Sequence, residues 1–118
     1  MEFSTVTEAT ERLPHPNDVD RKRIERALEA RMRYRYVAPR VLAVAGGYRI
    51  ESPCCSRNID TEGGVIDVAL IAYQTDTKTW CLYQKNHAQD SWTFENSYCR
   101  LNEALEQLNT DPERKFWQ

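Results

Sequence analysis

The run Val65-Ile-Asp-Val-Ala-Leu-Ile-Ala-Tyr-Gln74 constrains this chain most. Its apolar side chains fall on both alternating faces, the pattern of a strand in the interior of a sheet, with Asp67 as the odd residue. A strand of that kind needs partners on both sides, and the flanking sequence supplies them. Upstream, Arg40-Val-Leu-Ala-Val-Ala45 and Tyr48-Arg-Ile-Glu-Ser52 flank Gly46-Gly47, a pair able to take the positive φ angles of a tight hairpin. Downstream, turns at Thr75–Lys78 and Asn86–Asp90 lead into Thr79–Lys85 and Ser91–Glu95, which completes a three-strand meander.

Helices bracket these strands. Asn17 or Asp18 can cap the first, and Ile24, Ala27, Leu28 and Met32 recur at helical spacing, so a helix is expected over 18–33. Tyr34-Arg-Tyr-Val-Ala-Pro39 then favours extended backbone. Asn96 or Ser97 can cap the second helix, whose apolar face is Tyr98, Leu101, Ala104, Leu105 and Leu108, with Asp111-Pro112 at its end. Two large aromatics, Phe116 and Trp117, imply a docked C-terminal segment. The expected fold is α+β: an antiparallel sheet of about five strands, a hairpin plus a meander, with an N-terminal and a C-terminal helix on one face. Residues 1–17 are polar and end in Pro14-His15-Pro16, which reads as a flexible N-terminal arm ahead of one domain over 18–118.

Size and composition agree with this. A chain of 118 residues, 41% hydrophobic and 29% charged, fits one globular domain, and no apolar run reaches the roughly 20 residues that span a bilayer. With no secretory signal or lipid-attachment ending in the sequence, the expected location is the cytoplasm, with no membrane partner.

Charge is unevenly placed. Residues 1–20 carry one base against five acids, residues 21–49 nine bases against two acids, and residues 50–118 six bases against eleven acids. The candidate contact face is therefore basic: Arg21, Lys22, Arg23, Arg26, Arg31, Arg33, Arg35 and Arg40, interleaved with Tyr34 and Tyr36. Arginine beside aromatic rings suits an acidic protein surface, or phosphate contact and base stacking. Asp18 to Lys22 and Glu29 to Arg33 are also favourable four-residue helix pairs, so part of that face is simply solvated.

Reactive-site patterns are sparse. Cys54, Cys55, Cys81 and Cys99 lack the paired C-x-x-C spacing of structural zinc, and Cys81 and His87 would stand roughly 20 Å apart along an extended strand. Cys54, Cys55, His87 and Cys99 are the remaining metal candidates, and an adjacent Cys54–Cys55 disulfide the redox one. Cys99 stands near the expected start of the second helix, where the dipole favours a thiolate. Asp67 and Lys85 on successive strands imitate a metal-dependent nuclease, but the position two before the lysine is Tyr83 and not a second carboxylate. No catalytic residue and no cofactor is assigned on this reading.

The order of pieces, a basic first helix, "GGYRI", "KTWCLYQK" with a further "SW", and a closing "L..L...DPERKFW", resembles a bacterial family of small uncharacterised proteins, domain of unknown function family 3024, over about 18–118. "SPCCSRNIDTEGG" is not among the pieces that carry the resemblance. That resemblance implies an order of elements and no activity. The expected function is a small binding or regulatory module that contacts a protein through its arginine-rich helix. Nucleic-acid binding through residues 21–49 is the alternative, and a metal-dependent enzyme or zinc-binding protein a further one. The sequence leaves oligomeric state open.

Overall fold

The computed structural model describes residues 14–31, 38–53 and 64–117. Five strands form one antiparallel sheet in strictly sequential order: β1 (Arg40–Val44), β2 (Gly47–Pro53), β3 (Val65–Gln74), β4 (Thr79–Asn86) and β5 (Ser91–Tyr98). Helix α1 (Asp18–Ala27) precedes them and α2 (Leu101–Thr110) follows. The α+β architecture expected from the sequence is the one observed, with β3 in the middle.

One face of the sheet holds the core. Tyr48 and Ile50 of β2, Val68, Ala69 and Ile71 of β3, and Trp80 and Leu82 of β4 are buried there against Ile24 and Leu28 at the N-terminal end and Leu101, Leu105 and Leu108 of α2. Both helices are amphipathic and bury only this stripe, so a single layer of helix covers a single face.

Local chemistry explains where elements stop. Asn17 caps α1, its side-chain oxygen accepting the Asp20 N–H at 2.8 Å. The helix ends at Ala27, earlier than the expected residue 33, and tightens into a 3-10 turn over Leu28–Ala30. Arg31 is extended there, at ψ 151°, and its guanidinium donates to the Leu28 carbonyl at 2.8 Å while lying 5.4 Å from the Trp117 ring centre. That buried arginine closes the helix, and a periodicity count cannot see such a stop. Met32, placed in the core stripe by its spacing, lies outside the described residues.

The second helix also begins later than its sequence suggests. Asn96 and Ser97 belong to β5, which runs on to Tyr98 with a bulge opposite Leu82 and Tyr83, and Asn96 accepts the Ser97 N–H at 2.8 Å. The N-cap is Arg100, whose own N–H is taken by the Glu103 carboxylate at 3.3 Å. Tyr98 therefore packs against the core from the sheet and not from the helix.

Both ends of the described chain are tied down. The buried Asp111, at φ 39°, accepts the backbone N–H groups of Lys115 (2.7 Å), Phe116 (3.2 Å) and Trp117 (2.8 Å), which turns Phe116 and Trp117 into the core. Trp117 Nε1 also donates to the Leu108 carbonyl at 2.8 Å. At the other end, residues 14–17 of the segment read as a flexible arm are packed: the His15 ring lies 4.8 Å from both Tyr73 and Trp80, and the Asn17 N–H donates to the Tyr48 hydroxyl at 2.9 Å. Residues 1–13 lie outside the described residues.

Candidate functional site: the open face of the sheet

Side chains alternate along a strand, so the face opposite the core is built from the intervening residues. Cross-strand register carries one row over all five strands: Leu42, Arg49, Leu70, Tyr83 and Phe94. No described helix lies on this side. Phe94 is 54% exposed, and its ring meets Tyr83 edge-on at 5.6 Å.

A second row beside it is ionic. Arg40 pairs with Glu51 at 3.6 Å, Arg49 with Glu51 at 3.5 Å and with Asp67 at 3.4 Å, and Lys85 with Asp67 at 3.1 Å and Asp90 at 2.9 Å. The Lys85 ammonium also lies 4.8 Å from the Trp92 ring centre. Burial by itself would lower the Lys85 pKa, but hydrogen bonds to Asp90 and Asp67 outweigh it and hold the group above its ordinary value. Asp90 is correspondingly lowered by its bond to Lys85. Burial, and then the Lys85 charge, push His87 below its ordinary value and keep it neutral, with Nε2 buried and without a hydrogen-bond partner. The row is a chain of alternating signs that cancels itself.

Asp67 and Lys85 do meet, as the nuclease comparison requires. Arg49 shares that carboxylate, Tyr83 holds the place of a second acid, and no group of three or more His, Cys, Asp or Glu among the described residues is arranged to hold a metal ion. The arrangement orients side chains and neutralises charge.

The basic residues singled out by sequence are dispersed. Arg21 pairs with Asp18 and Glu25, and Arg23 with Asp20. Arg31 is buried at the end of α1, and Arg40 sits on the sheet beside Glu51. Lys22 and Arg26 are exposed on α1 with no ion pair among the described residues. Arg33, Tyr34, Arg35 and Tyr36 lie outside the described residues.

The suggested metal set is not brought together. His87 sits in the β4–β5 turn and Cys99 just past the other end of β5, an eight-residue strand that spans roughly 27 Å. They occupy opposite ends of the sheet, so a site holding both is ruled out. Cys54 and Cys55 lie outside the described residues; Cys81 and Cys99 are free thiols, the first buried and the second exposed.

The open-face row went unread in the sequence. Its signal was present: Tyr83 and Lys85 alternate with Trp80, Leu82 and Gln84, and Trp92 and Phe94 with Thr93, but the face could be recognised only once the helices were known to share the other side.

No helix among the described residues is long and apolar enough to cross a membrane. Comparisons with curated proteins and with solved structures returned no match. A family model described as "Domain of unknown function (DUF3024)" matches residues 12–118, so the pieces that suggested the family lie in one continuous match. The chain belongs to the DUF3024 family.

Proposed function

We propose that this protein is a small binding module that recognises another protein through the open face of its sheet. The observation that carries the reading is the half-exposed Phe94 packed on Tyr83, on a face no described helix covers and beside ion pairs whose charges cancel. Protein interfaces centre on aromatic anchors within a polar rim, and self-neutralised charges give little attraction for phosphate. Most described arginines are likewise engaged within the chain, which moves the expected contact from α1 to the sheet. Two free thiols fit a reducing compartment, so we place the module in the cytoplasm.

Phe94→Ser should leave the fold intact, because the side chain is 54% exposed, and should weaken binding to the partner recovered with the native protein at least about 30-fold, the loss of one anchor residue. Affinity capture and calorimetry read this directly, and retained affinity would refute the sheet-face contact. The nucleic-acid alternative rests on exposed Lys22 and Arg26. Lys22→Glu with Arg26→Glu is a cleaner test than reversing Arg23, whose partner Asp20 belongs to the α1 cap network. If nucleic acid were the partner, that double variant would lose binding and the slope of log affinity against log salt would flatten.

A further inference from the structure

We infer that the N-terminal segment entering α1 is held by a pH-sensitive latch in which neutral His15 plugs a cage of Tyr48, Tyr73 and Trp80, and that protonating His15 releases it.

The proton inventory sets the state of the ring. Tyr48 is fully buried, and its hydroxyl oxygen accepts the Asn17 N–H at 2.9 Å. Its single proton is directed to His15 Nδ1 at 2.8 Å, the other hydrogen-bond partner of the hydroxyl among the described residues. The Asn17 amide nitrogen lies 3.4 Å from the same Nδ1, but its two protons go to the Pro14 carbonyl at 3.0 Å and the Asp20 carboxylate at 3.1 Å. With the Asn17 N–H occupying the hydroxyl as a donor, the Tyr48 proton points to Nδ1, so this atom is the acceptor and the ring proton resides on Nε2. Adding a proton at Nδ1 sets donor against donor and strips the buried Tyr48 hydroxyl of its acceptor.

The surroundings oppose that proton more than they favour it. The titratable and charged groups facing His15 among the described residues are Tyr48 from β2, Tyr73 from β3, and Asp20 with its partner Arg23 from α1; Trp80 from β4 packs on the ring without titrating. Asp20 favours an imidazolium from 3.6 Å, but its oxygens are already bonded to Arg23 at 2.8 Å and to the Asn17 amide at 3.1 Å. Burial is the larger influence, and the His15 pKa lies below its ordinary 6.5. The docked state therefore binds fewer protons than the released one. Docking is at full strength above about pH 6.5 and weakens as pH falls through the docked value, by up to about tenfold per pH unit within that window.

Release would free the residues that cap α1 and open the aromatic cage to solvent. An NMR titration of the full chain from pH 8 to pH 4.5 tests this, following the imidazole carbons of both histidines and the cross-relaxation between His15 and Trp80. The expected result is a His15 midpoint below 6.5, with loss of the Trp80 contact on the acid side. His87→Asn should leave the transition unchanged. Tyr48→Phe, which removes the hydroxyl and little volume, should move the His15 midpoint upward and weaken docking at neutral pH. A midpoint at or above 6.5 with the Trp80 contact kept in acid would overturn the latch, since it would mean that Asp20 captures the imidazolium in place. A transition that disappears in His87→Asn would overturn it as well.

Discussion

Gly47→Ala is expected to prevent normal pairing of β2 with β3 and to cost roughly 3 kcal/mol or more, the upper end of what overpacking costs. Gly47 opens β2 directly opposite Ala72, and a Cβ there would press on the Ile71 carbonyl oxygen and stand 2.8 Å from the Ala72 Cα. These are backbone atoms of the central strand, which cannot turn aside as a flexible side chain does. Against a typical total of about 5–15 kcal/mol, that loss removes much of the folded population. Gly46 makes the comparison sharp, because a Cβ there meets nothing within 4 Å and the demand is only its φ of +77°. Gly46→Asn should cost little, since asparagine tolerates the left-handed region, and Gly46→Ala about 1–2 kcal/mol. Urea midpoints of the three variants check this order; equal effects at both glycines would refute the steric account.

Asp111→Ala should be comparably severe, roughly 3–5 kcal/mol, because one buried carboxylate serves three backbone donors and the removal leaves them unpaired. The tail it organises carries Phe116 and Trp117 into the core and brings the Trp117 ring against Arg31. Asp111→Asn keeps one acceptor oxygen and the tolerance for φ 39°, and should fall between wild type and alanine. A lowered melting temperature with a red-shifted tryptophan emission is the expected signature. Alanine that melts within a degree or two of wild type would show that the tail docks by its aromatics alone.

These two residues also show what the sequence makes legible. The glycine pair announced a hairpin, yet the turn is Ala45-Gly46 and the second glycine serves close backbone approach, a tertiary demand that composition does not reveal. Periodicity placed Ile24, Leu28, Leu101, Ala104, Leu105 and Leu108 correctly, because each helix has one buried stripe. The ends of the helices were misread where long-range contacts override local preference: Arg31 stops the first against Trp117, and pairing with β4 keeps Asn96 and Ser97 in strand. Asp111 read as a helix stop and not as an anchor, since its partners lie four to six residues ahead in a tail of no regular structure. For the candidate site, the sequence displayed charges but not their partners. Among the described residues, most of the arginines that look like a free basic face in one dimension are engaged in three.

The sequential strand order has a kinetic consequence. Each of the four pairings joins neighbours in the chain, so the sheet can grow by successive hairpin closures, each with a small entropic cost. Contacts between the ends, such as the Asn109 amide on the Ala27 carbonyl 82 residues away, are the slow ones to meet. Folding should therefore commit in the meander and finish by docking the termini, and Trp117→Phe should speed unfolding while leaving the refolding rate nearly unchanged, whereas Leu82→Ala in β4 should slow refolding. Stopped-flow chevrons of the two variants distinguish this order from one in which the helices nucleate. The seam between the first and last segments then sets how long a folded molecule persists, while the sheet sets how quickly one is made.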